Sequence, residues 1–291
     1  MQEATTSILI LMPYFGKWPF WMPLFLKSCE YNPDVNWLLI GDCGEPEGLP
    51  GNVDYQHSSF ADYCERVSTC LELDFQPDNP YKLCDLKPAY GFLHEEDIQG
   101  YDFWGFGDLD LVYGSLRQVY TEEMLKKYDL ISNHATRISG HLCLLRNTER
   151  MCMAFKKIPN WKAALQNPQH LAIDEKAFSR LFVKHKNFPQ WLRRLTNQLY
   201  PMVRKSFCVE RYTTPNGYIP WKDGTINYPT EWCWERGKIW NNLESNPKTP
   251  YPYFHFLAWK RGFNKVEIDL SGVEDGFRAR VSEGGIKIVI K

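Results

Sequence analysis

Three short apolar runs, each stopped by a polar or proline-bearing turn, constrain this chain more than any other feature. They are Ser7 to Pro13 ("SILILMP"), Asn36 to Asp42 ("NWLLIGD") and the stretch "DFWGFGDLDL" that begins at Asp102. Each is short and almost wholly apolar, the pattern of a strand buried on both faces. Between them the spacing turns helical, in "WMPLFLKSCEYN", in "SFADYCERVSTCLEL" with Ser59 placed to cap it, and in "YKLCDLKPAYGFLHEED" on both sides of Pro88. A helix over "LRQVYTEEMLKKY", strands in "DLISNH" and "HLCLLRN", and a helix from Arg150 continue the alternation. Strands alternating with helices imply an α/β fold with a central, mostly parallel sheet flanked by helices. Ligands of such sheets gather outside the carboxyl ends of the strands. This chain places Pro13-Tyr14, Asp42 and Asp108-Leu109-Asp110 there.

Beyond about residue 185 the pattern weakens. Residues 185–250 are rich in Trp, Pro, Asn and Arg and show no clear period, so an irregular portion is expected. The tail "GIKIVIK" reads as a closing strand. The chain thus divides into an α/β core over 1–184, an irregular insertion over 185–250 and a C-terminal segment over 251–291.

Composition removes several function classes. At 291 residues and 44% apolar, the chain can bury a large core. A net charge of −1, from 34 basic and 35 acidic residues, leaves no bulk attraction for nucleic acid. The nine cysteines are odd in number and contain no C-x-x-C pair, which argues against a disulfide framework or a structural zinc site and for a reducing cytoplasm. The apolar start is too short for a bilayer, which takes about 20 apolar residues. No G-x-G-x-x-G follows the first strand, so a dinucleotide dehydrogenase is not supported.

The sequence "FWGFGDLDLVYGS" sets two carboxylates, Asp108 and Asp110, one residue apart at a strand end. Like charges so placed repel each other, and the usual neutralising agent is a divalent cation or a tightly held set of donors. Hard oxygen ligands suit Mg²⁺ or Mn²⁺, which bind through one or two carboxylates plus substrate phosphates. Two solvated loop acids are the plain alternative. Near the C-terminus, "FHFLAWK" supplies His255, an imidazole able to complete a metal site, and Lys260, an ammonium suited to phosphate.

Taken in order, the strand-ending Pro-Tyr, Asp42, "DLD", Gly140 in "SGHLCLL", the acid pair Asp174-Glu175 and His255 resemble a GT-A-type nucleotide-sugar glycosyltransferase, similar to those of bacterial capsule and lipopolysaccharide clusters. "YKLCDLKPAYG" followed by "DFWGFGDLDLVYG" carries most of the likeness. The resemblance implies that Pro13 and Tyr14 lie against the nucleotide, that Asp42 faces the base and that Lys87 reaches the donor sugar or phosphate. It implies Asp110 and His255 as ligands of Mn²⁺ or Mg²⁺, with Asp108 on the metal or the ribose. Lys260 would sit on the donor phosphates, and Gly140 would let the backbone approach the donor and acceptor. The acid pair stands in the reverse of the family's Glu-Asp order, which leaves open whether Asp174 or Glu175 is the catalytic base. An inverting transfer needs such a base, whereas a retaining one does not. The implied partners are a UDP-hexose donor and a glycan or lipid-linked acceptor. Residues 185–250 would then face the acceptor or the membrane, and 251–291 would return to the active site.

"NFPQWLRRLTNQLYPMVRKSF" sets Trp191, Leu192, Leu195, Leu199 and Met202 among Arg193, Arg194, Arg204 and Lys205. It reads either as a peripheral membrane contact on the cytoplasmic face or as a surface helix packing its apolar stripe on the core. Trp221, Trp232, Trp234 and Trp240 are either sugar-stacking platforms or core. Two rival functions share parts of this pattern. A haloacid-dehalogenase-type phosphatase would use Asp108 as nucleophile, but it wants its motif early in the chain and a later Gly-Asp turn, which is lacking here. A non-catalytic carbohydrate-binding protein accounts for the aromatics but not for the paired acids.

Overall fold

The apolar runs become adjacent parallel strands. The computed structural model describes residues 5–215, 219–264, 268–270, 273 and 276–290, with the side chains of residues 190, 193 and 194 outside the description. The first eight strands are β1 (Ile8–Pro13), β2 (Asn36–Gly41), β3 (Val53–His57), β4 (Phe103–Gly107), β5 (Leu111–Tyr113), β6 (Leu130–Ser132), β7 (Leu142–Arg146) and β8 (Ser206–Cys208). All but β5 form one seven-stranded sheet in the order β3-β2-β1-β4-β7-β6-β8. Pairing is parallel throughout β3-β2-β1-β4 and between β6 and β8, while β7 runs antiparallel to both its neighbours. This is the mixed α/β class that the sequence implies.

Alternation along β1 sends its side chains to two cores. Leu9 and Leu11 join Trp104, Phe106 and the α2 (Phe60–Leu71) residues Tyr63, Val67 and Leu71 on one face. Ile8, Ile10 and Met12 join Phe103 and the α1 (Met22–Glu30) residues Met22, Phe25 and Leu26 on the other. Each such side chain contributes about 1.5–3 kcal/mol when fully buried, so the register of the sheet is firmly specified. The Ser59 hydroxyl caps α2 by accepting from the Asp62 N–H at 3.1 Å. Because β2 lies on one side of β1 and β4 on the other, the order switches between β1 and β4, and a crevice opens outside their carboxyl ends.

Several elements depart from the sequence reading. Strand β3 was not expected, because as an edge strand it buries only Val53 fully. The segment Pro80–Ala89 is a 3₁₀ helix rather than an α-helix, followed by the single turn Tyr90–Leu93; Pro88 has no N–H for the α ladder. "LRQVYTEEMLKKY" breaks into Leu116–Val119 and Glu122–Lys127.

The portion expected to be irregular holds the helix Gln190–Asn197, strand β8, and a hairpin of β9 (Glu231–Glu235) and β10 (Lys238–Asn241). Its two-residue turn, Arg236-Gly237, has φ of 48° and 72°, the left-handed pair that matches strand twist. Strand β11 (Tyr253–His255) pairs with β5, and β12 (Phe277–Ser282) and β13 (Gly285–Ile290) complete a second sheet, β10-β9-β12-β13. Residues on both sides of position 250 therefore share one sheet. Trp221, Trp232 and Trp234 are buried in the core beneath it, which removes them as sugar platforms; Trp240 carries the Arg278 guanidinium over its ring.

Candidate active site

The crevice at the β1/β4 switch is a cleft of about 530 Å³. Of the residues that sequence reasoning assigned to a site, Pro13, Tyr14, Lys87, Asp108, Asp110, Gly140, Asp174, Glu175, His255 and Lys260 all line it. Asp42 does not. It is exposed at the end of β2, where Oδ1 accepts from the Gly16 N–H at 2.8 Å and shapes the β1 loop. A Cβ on Gly41 would lie 1.8 Å from the Tyr14 carbonyl oxygen, so only glycine lets that loop cross β2.

Backbone pairing explains how distant residues meet. Asp108 follows β4, and its N–H donates to the His141 carbonyl at 3.1 Å. Asp110 precedes β5, whose first residue, Leu111, pairs with His255 on β11. The Phe256 N–H donates to the Asp110 carbonyl at 3.2 Å. The short β5–β11 ribbon thus fixes the imidazole beside the second carboxylate. Candidate ligand atoms of Asp108, Asp110 and His255 all lie within 4.8 Å of one another.

Two lysines answer the two acids. Lys87 Nζ donates to Asp108 Oδ1 at 2.5 Å and to the Gly140 carbonyl at 2.8 Å. Lys260 Nζ donates to Asp110 Oδ2 at 2.8 Å. Burial alone would raise the Asp110 carboxyl, but the His255 ring and the Lys260 ammonium outweigh it and hold the group well below the usual carboxylate range. Burial likewise disfavours the Lys87 ammonium, and Asp108 reverses that, leaving its pKa above the ordinary value.

His255 is the most telling residue. It is buried, its Nδ1 lies 3.0 Å from the Thr214 hydroxyl, and its ring stacks on His141 at 4.1 Å between centroids. His141 is held in turn by Ser139 Oγ at 3.0 Å and Tyr253 Oη at 2.8 Å. The His255 Nε2, however, is buried, makes no hydrogen bond among the described residues and faces Asp110 Oδ2 from 3.4 Å. A buried polar nitrogen left without a partner costs free energy unless something binds it. Two carboxylates and this free imidazole nitrogen make a donor set that fits Mn²⁺ or Mg²⁺.

The opposite wall carries Asp174. Its Oδ1 is buried and has no hydrogen-bond partner among the described residues, and a Cβ on Gly140 would lie 2.6 Å from its Oδ2, so glycine at 140 makes room for the carboxyl. Burial pushes the Asp174 pKa up to about 7; Lys87 opposes the shift and Glu175 adds to it. Glu175 is half-exposed, with Arg137 Nε 3.9 Å away.

The loop that delivers Asp174 is pinned by residues that sequence reasoning passed over. Asp85 accepts from the Leu171 and Ile173 N–H groups at 2.7 Å each, and its ion-pair partner Lys82, 2.9 Å away, donates to the Ala164 and Gln169 carbonyls at 2.9 Å. Both side chains are buried. The signal available was the i,i+3 opposite-charge pair in "YKLCD". At the rim, the exposed Tyr81 ring packs edge-on against His170 at 4.6 Å. A second group, Asp85, His170 and Asp174, also brings ligand-type atoms together, but Lys82 already supplies its counter-charge.

A family model described as a family of unknown function, DUF6625, matches residues 10–274. No curated protein matches the chain. Among solved structures it is similar to the apo glycosyltransferase GlyE of Streptococcus pneumoniae, at 10% identity and TM-score 0.35 over 72% of this chain and 46% of that one. The chain therefore spans about half the length of GlyE. It is also similar to the galactosyltransferase LgtC in complex with donor and acceptor sugar analogues, at 11% identity and TM-score 0.43, covering 86% of this chain and 87% of that one. Mouse xyloside xylosyltransferase 1 gives 12% identity and TM-score 0.37, covering 85% and 99%. All three TM-scores lie below 0.5, and the chemistry of the cleft is read from its own residues.

Proposed function

The chain belongs to the DUF6625 family, and we propose that it is a metal-dependent glycosyltransferase that moves a sugar, by default a hexose, from a nucleotide-diphosphate donor, by default UDP, to a glycan or lipid-linked saccharide. The observation that carries this reading is the buried Nε2 of His255, without a hydrogen bond among the described residues and facing two carboxylates at the floor of the β1/β4 crevice. Asp108, Asp110 and His255 would hold the cation, and the imidazole favours Mn²⁺ over Mg²⁺. When bound, the metal supplies Lewis-acid stabilisation of the negative charge that develops on a departing diphosphate.

The protein's own groups do the rest. Lys87 and Lys260 add positive charge where phosphate oxygens would lie. Pro13 and Tyr14 form the apolar wall after β1, against which a nucleoside fits, with the Tyr81 ring exposed at the rim. Asp174, with a pKa near neutrality, is suited to take the proton from the acceptor hydroxyl as it attacks. Burial, reinforced by Glu175 beside it, keeps that pKa high.

The test is a thermal-shift panel of nucleoside diphosphates with and without Mn²⁺. One nucleotide at about a hundred times its Kd stabilises by about 2.7 kcal/mol, or about 5 °C at roughly 2 °C per kcal/mol for a chain of this size. The shift is expected only with Mn²⁺ present and is lost in Asp110→Ala. No shift with any nucleotide removes the reading.

A surface away from the cleft supports a lipid-linked acceptor. On and after the helix Gln190–Asn197, Trp191, Leu195 and Leu199 are 65%, 63% and 76% exposed, while Met202 and Val203 pack inward. No Asp or Glu occurs between Glu175 and Glu210, whereas Lys184, Lys186, Arg204 and Lys205 do, so the face suits an anionic bilayer surface. The side chains of Arg193 and Arg194 lie outside the described residues. No helix among the described residues is long and apolar enough to cross a membrane, so contact would be peripheral. Co-sedimentation with vesicles containing phosphatidylglycerol is expected for the wild type and to fall at least about tenfold in Trp191→Ser/Leu195→Ser/Leu199→Ser, given about 1.5–3 kcal/mol for each large apolar side chain. Equal sedimentation of the two proteins would exclude the contact.

A further inference from the structure

The two lysines that neutralise the carboxylates are not equivalent. Lys87 has a 6% exposed side chain and two acceptors on the scaffold, Asp108 and the Gly140 carbonyl. It is a fixed part of the wall. Lys260 is 35% exposed, sits in the turn that follows β11, and has Asp110 as its one hydrogen-bond acceptor among the described residues. Its Nζ lies 2.8 Å from Asp110 Oδ2, the same oxygen that stands 3.4 Å from His255 Nε2. The ammonium therefore claims the oxygen that faces the free imidazole nitrogen, the two atoms between which a cation would bind.

An ammonium and a divalent cation cannot share that oxygen at close range without strong repulsion. The lysine stem has four rotatable bonds and its head reaches solvent, so Nζ can leave Asp110 if another anion takes it. A diphosphate in the cleft is such an anion, and a charge-assisted bond to phosphate replaces the one given up.

We infer that Lys260 is an internal counter-ion that keeps Asp110 closed to divalent metal until a diphosphate draws the ammonium away, so that metal and diphosphate enter the cleft together. The inference rests on the proposed diphosphate chemistry of the same cleft and makes Lys260 a positioning residue for the metal. By linkage, whatever factor the diphosphate adds to metal affinity, the metal adds to diphosphate affinity.

The experiment measures Mn²⁺ binding to the full chain by electron paramagnetic resonance of free Mn²⁺, with Mn²⁺ alone and with inorganic pyrophosphate or UDP added, correcting for Mn²⁺ held by those ligands in solution. Wild type is expected to bind Mn²⁺ alone weakly and to tighten about tenfold or more with either diphosphate, within the usual range of coupling between sites. Lys260→Met is expected to bind Mn²⁺ alone about tenfold more tightly than wild type and to lose most of the diphosphate enhancement. Lys260→Arg, which keeps the charge, should behave as wild type. Lys260→Gln is the second neutral variant if Lys260→Met does not fold, and the same tightening is expected of it. Mn²⁺ affinity that depends on Asp110 but is no higher in the neutral variants overturns this inference alone. No Mn²⁺ binding to any variant, with or without diphosphate, overturns both this inference and the metal-dependent function.

Discussion

Asp174→Asn is expected to lower kcat by about 10²–10⁴, the usual span for loss of a general base, and at the same time to make the fold more stable at pH 8. Burial raises the folded carboxyl from 3.8 to about 7, with Lys87 opposing and Glu175 reinforcing. Below about pH 4 the group is protonated whether the chain is folded or not. Between about pH 4 and 7 the folded protein holds a proton that the unfolded chain has released, so stability falls as pH rises through that window and levels off above it. Asparagine does not titrate, so its advantage over wild type opens across the same window and reaches at most about 4 kcal/mol above pH 7, three pKa units at about 1.4 kcal/mol each. The wild-type rate should fall about tenfold per pH unit below 7, because only the ionised carboxylate accepts a proton. Urea unfolding at pH 5 and 8, with a pH–rate profile, reads both effects. A variant with unchanged kcat and no gain in stability at pH 8 would show that Asp174 is neither buried as described nor the base.

The second large effect is structural. Asp85→Ala is expected to cost about 3–5 kcal/mol, the range for breaking a buried ion pair by removing one partner. The change strands the Lys82 ammonium and leaves the Leu171 and Ile173 N–H groups without their acceptor. Lys82→Met should cost a similar amount, because it exposes Asp85 as a buried, unpaired carboxylate and frees the Ala164 and Gln169 carbonyls. The double variant should cost less than the two single losses added together, since each removes the same pair. Because this pair fixes the segment over 164–173 just before Asp174, kcat should fall with stability. Denaturant midpoints shifted by less than the equivalent of about 1 kcal/mol in both single variants would mean that the loop is held by other contacts.

These residues also show where sequence reading stops. Strands β1, β2 and β4 are legible because both faces are buried, so their apolar runs are nearly continuous. The acids at 108 and 110 are legible because they interrupt such a run. The meeting of His255 with them is not, since it depends on the pairing of β5 and β11, strands of three residues each and too short to show a period. Edge strand β3 left only Val53 as a fully buried signal. The β9–β10 hairpin was legible in principle: Arg236-Gly237 stands between "EWCWE" and "KIWN", but the density of aromatics hid the period of two. Lys82 and Asp85 look like surface charges in sequence. Nothing local reports that Lys82 and Asp85 of the segment Pro80–Ala89 are buried against the chain over 164–173. Asp42 shows the converse, an acid at a strand end that holds a loop turn instead of lining the cleft.

On this reading the paired acids and His255 would hold a cation that in turn holds a diphosphate. Crystals grown with Mn²⁺ and UDP and measured at the manganese absorption edge test it directly. The account predicts one strong anomalous peak in the cleft, within about 2.0–2.4 Å of Asp110, His255 Nε2 and a phosphate oxygen, distances usual for a hard divalent ion, with Lys260 turned from Asp110 to the phosphate. A diphosphate bound with no anomalous peak, and with Lys260 still on Asp110 and His255 Nε2 still bare, would contradict it.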